Sequence, residues 1–219
     1  LNTSEYPVIA EGGITKIQWD WLDCELARAT AEHRLIVVLN HHRSDNLDQI
    51  VDTEAPGSPK LCDTPATCSA MMVERLHQYP NVILHLVGHG HENLVIARDG
   101  ATPEAGYWEV ETSAIIDWPE QTRILEIVTY PNGVGELWST MLDHAPLSRS
   151  ADVNTLSELA RALGADDAVR QPSGALGGEG TPDDRNRVLR FAIPTDVAAT
   201  LAPGNGVITS RDAFALGPR

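Results

Sequence analysis

Positive charge is scarce in this chain. Its 16 Lys and Arg stand against 31 Asp and Glu, a net charge of −15 over 219 residues with His neutral. Such an anion repels nucleic-acid phosphates and anionic lipid surfaces. No basic cluster denser than Arg185-Asn186-Arg187 with Arg190 offsets it, which argues against a nucleic-acid groove as the main partner site. A run of about 18 apolar residues is also missing, so no membrane span is expected. The opening Leu1-Asn2-Thr3-Ser4 has neither the charged start nor the apolar stretch of a signal peptide. It begins on Leu, which leads us to expect that the chain starts inside a longer gene product. Cysteine is rare: three residues and no Cys-x-x-Cys, which excludes a zinc ribbon and a dense disulfide scaffold. Cys62 and Cys68 lie in a Pro-rich loop and could be bridged in an exported protein or free in a reducing one. The compartment, extracytoplasmic or cytoplasmic, is therefore left open. With 42% hydrophobic and 21% charged residues, the composition is that of a globular chain rather than a disordered one.

Hydrophobic periodicity organises what is present. Ile17, Trp21, Leu22, Leu26 and Ala29 form one stripe of a helix over 15–32, with Thr15 as its N-cap. Leu35 to Leu39 is a short aliphatic run that reads as a strand buried on both faces. A long polar loop is expected from Arg43 to about Pro65, then a helix over 66–79 with Met71, Met72 and Leu76 inside. Val82 to Val87 is a second buried strand. Strand-like runs follow at 94–97, 107–112, 124–130 and 134–141, with Asp99-Gly100 and Pro131-Asn132-Gly133 as turns, and read as an antiparallel meander. The domain expected from this order is α/β over 1–145. A helical extension follows at 146–170, with a helix over 152–165. A Gly- and Pro-rich, linker-like tail over 171–219 is expected to be loosely attached.

Five of the eight histidines, His41, His42, His85, His89 and His91, sit at or near the ends of the two buried strands. In open α/β sheets, sites form beyond the carboxyl ends of the strands. If the two strands are parallel neighbours, Asn40, His41, His42, His89 and His91 come side by side. Neutral imidazole is the commonest metal ligand near pH 7, so the pattern points to a metal site. Gly88 and Gly90 would release the backbone and let His89 and His91 diverge, which suits two metals better than one. His33, His77 and His144 read as ordinary polar residues, and His85 as a packing residue or a support for the ligands.

Leu86-Val87-Gly88-His89-Gly90-His91-Glu92-Asn93 resembles the Gly-His-x-His motif of the calcineurin-like metallophosphoesterases. Ile36-Val37-Val38-Leu39-Asn40-His41-His42 resembles the motif preceding it, and Gln18, Trp19, Trp21 and Leu22 resemble the helix before that strand. Residues from Tyr107-Trp108-Glu109-Val110-Glu111-Thr112-Ser113 through Asp117-Trp118-Pro119 and Arg123 are similar to a bacterial, mainly actinobacterial, branch. The resemblance covers about residues 1–165. It implies that His41 and His89 bind one metal and His91 another, with His42 behind the ligands or facing substrate. It also implies two divalent ions (Mn, Fe, Zn or similar) and a phosphoester substrate. The family's Asp-x-His, Gly-Asp-x-x-Asp and Gly-Asn-His motifs are absent. The chain thus resembles the C-terminal half of a four-layer α/β/β/α sandwich. The missing N-terminal half, expected upstream of Leu1, would supply the bridging Asp, an Asn ligand and the general acid. Imidazoles alone poorly offset the repulsion between two dications, so this chain alone is expected to have little or no activity. Two other readings use the same residues: a mononuclear zinc hydrolase on His41, His89 and His91, with Glu92 adjacent as base, and a non-catalytic metal-binding module.

Overall fold

A computed structural model describes residues 1–4, 12–53, 55, 57–62, 64–146, 153–167 and 177–201. Among these the chain is mixed α/β, with four α-helices and three open sheets, none closed into a barrel. No described helix is long and apolar enough to cross a membrane.

The first strand, β1 (Gly12–Thr15), runs into helix α1 (Lys16–Ala31). Thr15 is the N-cap residue, in extended conformation, and Lys16–Asp20 and Arg28–Glu32 pairs brace the solvent side. The buried stripe is Trp19, Leu22 and Leu26, whereas Ile17 and Trp21 are exposed. The expected stripe was therefore turned by part of a helical turn. Trp19 goes inward, with the Arg75 guanidinium 5.5 Å from its ring centroid.

Strand β2 (Ile36–Leu39) pairs in parallel with β5 (Val82–Val87). β5 is buried along nearly all its length. β2 is not buried on both faces as expected, because it is the edge of its sheet and leaves Val37 and Leu39 exposed. Between them the expected long loop holds structure: a 3₁₀ turn (Ser44–Asn46), β3 (Leu47–Val51) and β4 (Lys60–Cys62). β3 lies parallel to β1 and antiparallel to β4. Its parallel partner β1 lies more than 30 residues away, so no local turn signal announces that pairing. Helix α2 (Pro65–His77) starts at a capping box of Thr64 and Thr67, with Pro65 in its first turn. A Cys62–Cys68 disulfide ties β4 to α2; Cys24 is free and exposed.

The expected meander divides between two sheets. β6 (Leu94–Arg98) and β7 (Tyr107–Glu111) join the first sheet in the order β2-β5-β7-β6, with β7 parallel to β5. β8 (Gln121–Thr129) and β9 (Val134–Asp143) form a separate antiparallel sheet. Its third strand is β10 (Arg187–Ala192), on the far side of β9. The tail is thus not loose over this span. Leu189, Phe191 and Ile193 are buried with Ile83, Leu84, Val110 and Leu137 in a cluster shared by the two sheets. Phe191 lies opposite Gly135 in the register. A β-carbon on Gly135 would come within 2.1 Å of the Phe191 ring, so the glycine is what lets the ring lie across β9.

Helix α3 (Leu156–Ala165) falls within the expected helix and carries a Thr155–Glu158 capping box. Helix α4 (Thr195–Thr200) docks through Val197 and through an Asp196–His33 contact. Residues 168–176 and 202–219 of the expected linker and tail lie outside the described residues. A second cluster, built from α1, α2, β3 and the opposite side of the first sheet, holds Ile14, Leu22, Leu26, Ile50, Met72, Leu76 and Val82.

Because β10 completes a core, Phe191→Ala is expected to destabilise the protein by about 3–5 kcal/mol. Urea unfolding checks this. A loosely held strand would leave the midpoint unchanged.

Candidate metal centre

The parallel pairing of β2 with β5 continues past the strand ends. Leu39 lies opposite Leu86, Asn40 N–H donates to Leu86 O at 3.2 Å, and Gly88 N–H donates to His41 O at 2.9 Å. These bonds hold the Asn40-His41-His42 and Gly88-His89-Gly90-His91 segments side by side at the carboxyl end of the sheet, the usual place for a site.

At that point His41 Nε2 and His89 Nδ1 are 3.3 Å apart. His42 joins them, with its ring centroid 4.2 Å from that of His89 and 4.8 Å from that of His41. The ligand atoms of the three rings lie within 4.8 Å of one another. Nitrogens 2.0–2.1 Å from a tetrahedral ion stand about 3.3–3.4 Å apart. The His41–His89 spacing has that length, so this pair fits a bound transition metal.

The turn carrying His89 is tight. Gly90 N–H donates to Gly88 O at 3.0 Å across His89, whose φ is +74°. This is the i→i+2 closure of a γ-turn, a strained form for a residue with a β-carbon. The expectation that the glycines would take the unusual dihedrals is corrected: His89 and His91 have positive φ, and Gly88 and Gly90 do not. Gly90 is required for another reason. A β-carbon there would stand 2.5 Å from Glu111 Oε1, which accepts from the Gly90 N–H.

His91 does not belong to the group of three. Its Nδ1 meets Asp117 Oδ2 at 2.7 Å. His33 meets Asp196, and His77 Nε2 lies against Arg98 O at 3.2 Å. His144 lies between Glu120 O and Ser157 O. None of these three joins the group.

Below the histidines lies a buried polar chain, of which the sequence reading anticipated His85 as a support but not Glu109, Ser44 or Arg98. Asn40 Nδ2 donates to His42 O, and Asn40 Oδ1 bonds His85 Nε2. His85 Nδ1 is 3.7 Å from Glu109 Oε2, and both side chains are wholly buried. Glu109 accepts from Ser44 N–H at 2.8 Å, Ser44 Oγ at 2.9 Å and Arg98 Nε at 2.8 Å. Burial alone would raise its pKa. The donors and the facing imidazole outweigh burial and hold it at about 2.

Glu111, two residues along the same strand face, behaves oppositely. Burial pushes it up to about 7, against the pull of Arg43 Nη1 at 2.6 Å and the Gly90 N–H. Arg43 also donates to Glu92 at 2.9 Å, so Glu92 is held in an ion pair beside the site. The available signal was the alternation in Tyr107-Trp108-Glu109-Val110-Glu111, which puts two carboxylates on one face of a buried strand. Buried carboxylates need partners, and Arg43 and Ser44 follow directly on the His pair.

No protein-family model matches this chain, and no curated protein shows significant similarity to it.

Glu109 generates a pH prediction. Its folded pKa lies below its unfolded value of about 4.5. Its stabilisation is therefore complete above that value and lost as pH falls toward about 2. The shift corresponds to about 3 kcal/mol. Glu109→Gln is expected to be less stable than the wild type at neutral pH by about this amount, the gap closing between about pH 5 and pH 2. Urea midpoints across that range check it. A gap that does not narrow would show that Glu109 is not the titrating group.

Proposed function

We propose that this chain carries the imidazole part of a metal-dependent phosphoesterase, with His41, His42 and His89 as the residues that hold a divalent ion. The observation that carries the metal is the 3.3 Å approach of His41 Nε2 to His89 Nδ1 at the ends of two parallel strands. The phosphoester rests on the resemblance of the two histidine motifs to calcineurin-like metallophosphoesterases. That resemblance further implies a second ion at His91, whose Nδ1 is held by Asp117 Oδ2 at 2.7 Å. It also implies a complete domain of the four-layer α/β/β/α type, with a bridging acid from a segment outside this chain.

The residues present divide the work. His41 is exposed and reaches solvent, while His42 is buried and anchored. Asn40 and His85 hold the backbone of the pair, and Glu111 and Arg43 brace the Gly90 turn from below. When bound, a divalent ion supplies a lowered pKa for its water and neutralises charge on the phosphoryl oxygens.

A second reading is favoured by one observation. The third member of the group is His42, not His91. Three imidazoles and an open position from this chain alone describe a mononuclear zinc hydrolase.

Metal analysis after equilibration with zinc tests the proposal. One tightly held ion per chain is expected. His89→Gly, which keeps the φ of +74° without a β-carbon penalty, should weaken binding by more than about 100-fold, beyond the cost of losing an outer hydrogen bond. Hydrolysis of an aryl phosphate by the protein extended upstream, with two ions, supports the phosphoesterase. One ion with hydrolysis by the present chain supports the zinc hydrolase. No bound metal overturns both.

A further inference from the structure

The hydroxyl of Thr3 makes two bonds to one residue. His42 N–H donates to Thr3 Oγ1 at 3.1 Å, and His42 Nδ1 lies 2.8 Å from the same oxygen. Thr3 is buried, and its own carbonyl accepts from Gly13 N–H at 2.8 Å, at the head of β1. One oxygen thus grips both the backbone and the ring of His42. We propose that Thr3 is a positioning residue for the metal centre. It orients the His42 ring and, by accepting from Nδ1–H, leaves Nε2 as the ligand atom.

This rests on the metal reading above. Histidine ligands depend on such a partner for tautomer and direction, and losing it typically costs 10–100-fold in metal affinity. Thr3→Val keeps the side-chain shape and removes the oxygen, whereas Thr3→Ser keeps the oxygen. Cobalt titration followed by its visible absorption is the measurement, with thermal unfolding without metal as the control for folding. Affinity should fall by about 10–100-fold in Thr3→Val and return in Thr3→Ser. If the wild type binds no cobalt, the metal reading fails. If it binds and Thr3→Val binds equally well, only the role of Thr3 fails. Equal loss in both variants also removes the hydroxyl's role.

Discussion

Everything at the candidate centre depends on the parallel pairing of β2 with β5 beyond the last residues of both strands. Two backbone bonds, from Asn40 N–H to Leu86 O and from Gly88 N–H to His41 O, hold two loops in register. Without them the histidines would be separate loop residues 48 positions apart in the chain. With them, His41 and His89 face each other at the spacing of ligands on a tetrahedral ion. The pairing is itself secured from outside the site. Ile83 and Leu84 of β5 pack into the cluster shared with β9 and β10, while Val38 and Val82 pack against the helices.

A second constraint lies beneath the first. Burying charged side chains is costly unless each has partners. Glu109 meets this condition fully, with Ser44, Arg98 and His85 around it, and stays ionised. Glu111 meets it less completely, and burial outweighs its Arg43 partner. The two carboxylates stand on one face of β7, and their environments drive them apart. Through Asn40 and His85 the Glu109 network reaches the backbone of His42; through the Gly90 N–H the Glu111 network reaches the turn of His89.

Local pattern made much of this readable. The aliphatic run of β5, the apolar stripe of α2 and the helix of α3 all follow from periodicity and capping residues. The parts that were unreadable share a cause. β1 and β3 pair with each other across more than 30 residues, and β10 joins β9 from more than 40 residues away; neither carries a turn signal. Both faces of β2 look alike in sequence, and only its place at the sheet edge exposes Val37 and Leu39. In α1, Trp19 and Trp21 compete for the core, and Arg75 from α2 helps to decide for Trp19.

The sequence by itself determined the α/β character, the two histidine segments at strand ends and a net charge of −15. These are local properties of spacing, composition and charge. Only the tertiary structure decided which histidines meet. Spacing treats His42 and His91 as equal candidates, each one or two residues from a ligand. Thr3, 39 residues before it, draws His42 into the group. Asp117, 26 residues after it, engages His91 instead. A side chain's direction is set by its long-range hydrogen-bond partner, and no local pattern of residues encodes that partner.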